Sequence, residues 1–109
     1  MHTEAPLTTV MKTLADPTRR AVFERIARNT EVTAGSLITG AGVSQPAVSQ
    51  HLRALRDAGL VVERRQGRHV HYRVQPRGLR PLVDWIGFYA SFWRESLDRL
   101  EELLKDIDR

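Results

Sequence analysis

The amino-acid sequence predicts a mainly α domain carrying one β-hairpin, and three patterns point to it. Apolar residues recur at helical spacing as far as Leu55, the period falls to two between Leu60 and Val74, and heptad spacing then runs from Leu79 to Ile107. The 109 residues, 41% apolar and 28% charged, suit one hydrophobic core, so a single domain is expected over residues 1–109.

Leu7, Val10, Met11 and Leu14 form the stripe of a first amphipathic helix. Asp16-Pro17 opens the second: the Asp side chain can accept from an early helical N–H, and Pro at the first position gives up no hydrogen bond. Val22, Phe23, Ile26 and Ala27 make its inner side. Thr33 caps a short third helix anchored by Leu37 and Ile38, which Gly40-Ala41-Gly42 is expected to break. Ser44 caps a fourth, with Pro46 in its first turn, Val48, Leu52 and Leu55 facing inward, and Gly59 past its end. Two such helices joined by a tight glycine-containing turn are a helix-turn-helix, assigned to residues 33–58.

The period-two stretch over residues 60–75 reads as a hairpin turning at Gln66-Gly67. Val70, Tyr72 and Val74 point one way, His69, His71 and Arg73 the other, and Arg64, Arg65 and Arg68 are expected at the tip. A hairpin after a helix-turn-helix is a wing. The last helix, residues 77–107, carries Leu79, Val83, Ile86, Ala90, Trp93, Leu97, Leu100, Leu104 and Ile107 at alternating steps of four and three. This is the a and d pattern of a helix that pairs with another. Val83, Ile86, Ala90, Trp93, Leu97, Leu100 and Leu104, with Leu7 of the first helix, are the expected dimerisation residues of a winged helix-turn-helix homodimer.

Several classes of chemistry are not expected. Without cysteine there are no disulfides and no thiolate ligands. His2, His51, His69 and His71 are dispersed; His69 and His71 share a strand face, but two ligands fall short of a typical metal site. No nucleophile, base and orienting group stand at a spacing that suggests catalysis, so neither an enzyme nor a bound cofactor is expected. The opening stretch contains Glu4, Lys12 and Asp16 and no continuous apolar run, so neither a signal peptide nor a membrane span is expected, and the location expected is cytoplasmic.

The net charge of +4 and a pI near 10.3 favour an acidic partner. Residues 1–75 carry 11 Lys/Arg against 6 Asp/Glu, whereas residues 76–109 carry 6 against 7. The positive excess therefore sits with the helix-turn-helix and the wing, as a nucleic-acid footprint requires. A recognition helix needs one apolar face for docking and an opposite face of hydrogen-bonding side chains without carboxylates. Opposite Val48, Leu52 and Leu55 stand Pro46, Gln50 and Arg53, with Ser49 beside them and Ser44 and Gln45 at the N-terminal end. Gln can pair with adenine, Arg with guanine, Ser with several bases or a phosphate. No carboxylate occurs from Ser44 to Arg56. A polar solvent face would read the same in isolation, but the basic hairpin behind it favours double-stranded DNA as the partner. His51, at the edge of the core face, is read as packed or phosphate-contacting. Arg64, Arg65, Arg68 and His69 are read as contacts to flanking phosphates or the minor groove.

From Ser44 to Val61 the sequence resembles the ArsR/SmtB family of winged-helix repressors. Leu14-Ala15-Asp16-Pro17-Thr18-Arg19-Arg20 resembles that family's early signature, and Gly67 to Val74 its wing. The resemblance implies a transcriptional regulator, a homodimeric repressor of inverted-repeat operators, often its own, until an inducer releases it. It also implies that Gln45 and the Ser49-x-His51 pair touch DNA. Metal-sensing members carry a Cys-x-Cys pair in the third helix or Asp, His and Glu ligands on the last. Here the third helix reads Thr33-Ala34-Gly35-Ser36-Leu37-Ile38, and the last has Asp84 and Glu95 but no histidine, which implies the metal-independent branch. The alternative is a winged helix that docks proteins without reading DNA; an acidic recognition face would favour it, and the opposite is present. Trp85, Phe88, Tyr89, Phe92 and Trp93 crowd one stretch of the last helix, as dimer core or as a pocket for an apolar or aromatic effector.

Overall fold

The computed structural model describes residues 5–107; residues 1–4 and 108–109, His2 and Glu4 among them, lie outside that range. The elements are α1 (Pro6–Ala15), α2 (Pro17–Arg28), β1 (Val32–Thr33), α3 (Ala34–Ala41), α4 (Gln45–Asp57), β2 (Val61–Gln66), β3 (His69–Val74), a 3₁₀ turn (Pro76–Leu79) and α5 (Arg80–Ile107).

The caps read from the sequence are made. The Asp16 carboxylate accepts from the Arg19 backbone N–H at 3.0 Å, which holds its pKa below the ordinary carboxylate range. Thr33 accepts from the Ser36 N–H at 3.2 Å and Ser44 from the Ala47 N–H at 3.3 Å. Arg20 adds a cap at the end of α1, donating to the Leu14 carbonyl at 2.9 Å. At the end of α4, Leu60 N–H returns to the Leu55 carbonyl and Gly59 N–H to that of Arg56. This reciprocal pair is a Schellman motif, and it requires the left-handed φ of 76° that Gly59 adopts.

Three expectations are corrected. Gly40 and Ala41 belong to α3, which stops at Gly42 (φ 65°). Ala27 is exposed rather than part of the inner side of α2. Leu79 lies in the 3₁₀ turn, so the long helix begins at Arg80, not at residue 77. The sheet also gains a strand. β3 is its centre, paired antiparallel with β2 from Val61↔Val74 to Gln66↔His69 and with β1 at Val32↔Tyr72 and Thr33↔His71.

The core draws on every element up to β3, with Val10, Phe23, Ile26, Val32, Leu37, Leu55, Leu60, Val61 and Tyr72 buried together. Each fully buried aliphatic or aromatic side chain of this size contributes about 1.5–3 kcal/mol. Leu79 and Leu82 pack against this core, and beyond them α5 leaves it. No residue of α5 is buried, and Trp93 and Leu97 are 61% and 57% exposed. The radius of gyration, 19.0 Å, exceeds the roughly 13 Å of a compact chain of this length because α5 projects. No described helix is long and apolar enough to cross a membrane.

Where the chain enters α5 it passes against the turn at Gly59. A Cβ on Gly78 would overlap the Gly59 carbonyl and stand 3.1 Å from the Leu60 Cα, and backbone cannot yield as a side-chain end can. Gly78→Ala is therefore expected to destabilise the fold by about 1–3 kcal/mol, with a correspondingly lower Tm in a thermal melt. An unchanged Tm would refute this account of the contact.

Candidate DNA interface

α4 is pinned by Val48, Leu52 and Leu55, all buried, and its opposite side is open. Gln45, Pro46, Ser49, Gln50 and Arg53 are exposed. Among the described residues, the side chains of Gln45, Ser49, Gln50 and Arg53 make no hydrogen bond or ion pair. Ser44 differs in that its oxygen is engaged as the helix cap. His51 is half-buried and accepts at Nδ1 from Arg19 Nε at 3.4 Å. Accepting there puts the neutral ring's proton on Nε2, which leaves one donor for an outside partner.

Arg56, one turn beyond Arg53, is committed elsewhere. Its Nη1 donates to Glu63 at 3.2 Å and its Nη2 to Asp57 at 3.3 Å, which holds the guanidinium still more firmly protonated. Glu63 also accepts from the Tyr72 hydroxyl at 3.3 Å, and burial, with the carboxylate's charge, pushes that phenol up. Glu63 thereby ties α4 to both long strands of the wing.

The hairpin turns through Gly67-Arg68, with φ 61° at Gly67 and no positive φ at Arg68, the pattern of a type II′ turn. Of the three arginines expected at the tip, Arg68 alone stands in the turn. Arg65 lies opposite Val70, and Arg64 lies further back, opposite His71. The placement of Arg64 is thus corrected. Its Nη2 donates to Glu31 Oε1 at 2.7 Å and its Nη1 to Gln66 Oε1 at 2.9 Å. His71 Nδ1 stands 3.2 Å from the same Glu31 oxygen. The bond from Arg64, followed by the charges of Arg64, His71 and Arg73, holds the Glu31 carboxyl below its usual range. Sequence reasoning missed Glu31 because its partner is 33 residues away. Arg65 and Arg68 have no hydrogen bond or ion pair among the described residues, and His69 is exposed beside the turn.

On α5, Val83, Ile86, Trp93, Leu97, Leu100 and Leu104 are exposed and Ala90 is half-buried, which leaves a continuous apolar seam; Leu7 on α1 is half-buried. Trp85, Ile86, Tyr89, Ala90 and Trp93 line an open groove of about 280 Å³. Phe88 and Phe92 are not in its lining, although the Phe88 ring meets Tyr89 edge-on at 4.9 Å.

A capped helix with an open polar face, set between an apolar docking face and a basic hairpin, defines a winged helix-turn-helix DNA-binding protein. Comparison with known proteins agrees. The family described as a helix-turn-helix domain matches residues 14–64. The chain is 31% identical over 101 residues to the arsenical resistance operon repressor of Escherichia coli (strain K12), covering 92% of this chain and 83% of that protein. It is 40% identical over 91 residues to the HTH-type transcriptional regulator Rv2034 of Mycobacterium tuberculosis, covering 84% and 81%. Among solved structures, an ArsR-like transcriptional regulator from Rhodococcus sp. RHA1 superposes with a TM-score of 0.69 at 28% identity, covering 90% of this chain and 92% of that one. A homodimeric winged helix-turn-helix DNA-binding domain, Mb0332 from Mycobacterium bovis, gives 0.62 at 25%, covering 82% and 92%. The chain belongs to the ArsR/SmtB family of winged-helix transcriptional regulators. It is a DNA-binding regulator, and the relatives and neighbours it matches are regulators, not enzymes.

Proposed function

We propose that this protein is a homodimeric repressor that reads an inverted-repeat operator, its own promoter included, by inserting α4 in the major groove. The observation that carries the reading is the open face of α4, where Gln45, Ser49, Gln50 and Arg53 have no side-chain partner among the described residues and no carboxylate stands beside them, opposite a buried apolar face. Ser44, Pro46 and His51 complete that surface. Arg65, Arg68 and His69 are assigned to phosphates or the minor groove, with Arg64 behind them on Glu31. A regulator of this kind works where the chromosome is, in the cytoplasm.

Dimerisation supplies the second half of the reading. The seam of α5 leaves more apolar surface in water than a lone helix tolerates, and its 28 residues span about 42 Å. Pairing across a twofold axis covers it and presents two α4 helices to half-sites about 10–10.5 base pairs apart. Three of the groove-lining residues, Ile86, Ala90 and Trp93, are seam positions, so the groove is assigned to the partner helix. An apolar effector at Trp85 and Tyr89, flanked by Phe88 and Phe92, would compete with that helix and act by loosening the dimer. Trp93→Glu or Leu97→Glu should give monomers with weak DNA binding. A wild type that scatters light as a monomer at micromolar concentration would remove the dimeric reading.

We assign the protein to a metal-independent mode of regulation. Arsenite and cadmium seek soft thiolate ligands, and the sequence has no cysteine. Stoichiometric zinc, cadmium or arsenite is expected to leave operator affinity unchanged. Chelator-reversible release of DNA by any of them would overturn the assignment and direct attention to His69 and His71.

Base reading and phosphate holding are separable. Arg53→Ala should remove about 1–3 kcal/mol of preference for the operator over mutated sites, with a smaller loss on random DNA. Arg68→Ala should weaken both DNAs alike and make the slope of log K against log salt shallower by about one. Equal losses from both variants on both DNAs would mean that α4 is not the reading element.

A further inference from the structure

The wing carries more positive charge than it leaves available, and the difference traces to Glu31. This residue follows α2 and immediately precedes β1, whose pairing at Val32↔Tyr72 and Thr33↔His71 fixes its place at the edge of the wing sheet. His71, on the central strand, stands directly opposite both Thr33 on β1 and Arg64 on β2. Glu31 Oε1 reaches across to this row, 2.7 Å from Arg64 Nη2 and 3.2 Å from His71 Nδ1. The other terminal nitrogen of Arg64 is held by Gln66 at 2.9 Å. Arg65, the next residue along, points to the opposite side of the sheet by strand alternation and, among the described residues, has no hydrogen bond or ion pair.

We infer that Glu31 limits how tightly this protein holds DNA of any sequence, by binding Arg64 itself and so withholding that guanidinium from the phosphate backbone. The inference rests on the DNA-binding reading above and deepens it. A charge-assisted bond of 2.7 Å must be broken before Arg64 can reach a phosphate, and the carboxylate left behind would repel that phosphate. Sequence-independent affinity grows with the number of phosphates neutralised, because each releases a condensed counterion. Glu31 lowers that number for every sequence alike and does not touch α4. The ratio of operator to random binding stays with the face of α4, Gln50 and Arg53 included, while Glu31 sets the absolute strength with which any duplex is held.

The test is a salt titration of the wild type, Glu31→Gln, Arg64→Ala and the double variant. Each is measured on a random-sequence duplex and on an operator duplex recovered by in vitro selection. Glu31→Gln should steepen the slope of log K against log salt by about one on both DNAs and strengthen random binding by roughly three- to tenfold at low salt. Arg64→Ala should leave the wild-type slope unchanged yet abolish the gain when combined with Glu31→Gln. A merely structural ion pair would alter the melting temperature and leave the slopes alone. The inference is overturned if Arg64→Ala alone flattens the slope by about one, since Arg64 would then already hold a phosphate beside an intact Glu31. It is equally overturned if a folded Glu31→Gln protein shows the wild-type slope. Should that variant fail to fold by circular dichroism, the Arg64→Ala slope decides by itself. Absence of salt-sensitive DNA binding by the wild type is a distinct result, which overturns the DNA-binding reading and this inference with it.

Discussion

The turn at Gly59 is the joint on which the other parts of the molecule hang. It closes α4 through two reciprocal backbone bonds, and the residue that completes the motif, Leu60, is fully buried beside Leu55. Leu60 also accepts from the Gln75 N–H at 2.9 Å, which ties the base of β2 to the end of β3. Gly78 then passes so close to Gly59 that neither backbone leaves room for a side chain on Gly78. The helix α4, the hairpin beside it and the entrance to α5 are therefore fixed to each other within a few residues. A left-handed backbone at one position and a missing Cβ at another are what permit it.

How much of this is legible in the sequence depends on the range of each interaction. Val48, Leu52 and Leu55 announce the docking face of α4 because a 100° periodicity needs only local spacing, and Asp16, Thr33 and Ser44 announce caps because a cap is made within three residues. β1 is not legible, since two residues cannot show an alternation. The end of α3 is misjudged by two positions because glycine lowers helix propensity without forbidding a helix, and only Gly42 takes the left-handed conformation that ends one. For the candidate interface, the open face of α4 could be read from spacing alone. The cations that are already taken could not, because Arg56 meets Glu63 and Arg64 meets Glu31 only after the sheet has formed.

The fold thus sorts its positive charges into two groups. Arg56 and Arg64 face carboxylates from neighbouring elements, and such exposed, solvent-screened pairs add little to stability. Their larger consequence is subtraction, because a guanidinium already bonded to a carboxylate is a poorer phosphate ligand. Arg53, Arg65 and Arg68 are left without such partners among the described residues. A count of Lys and Arg treats both groups equally, and so overstates the cations that are free to meet a polyanion.

The same distinction applies to apolar surface. Among the described residues α5 adds no buried side chain to the core and packs Leu82 at its edge. Yet the helix continues through Ile107 with Val83, Ile86, Trp93, Leu97, Leu100 and Leu104 in water. A helix in a protein gains most of its stability from the packing of its apolar face, and here, apart from its contact with α1, most of that face stands exposed among the described residues. The link from β3 to α5 is one short 3₁₀ turn held at Gly78, so α5 is not free to fold back over its own domain. Because the same joint fixes α4, the direction in which α5 projects is coupled to the direction in which α4 points.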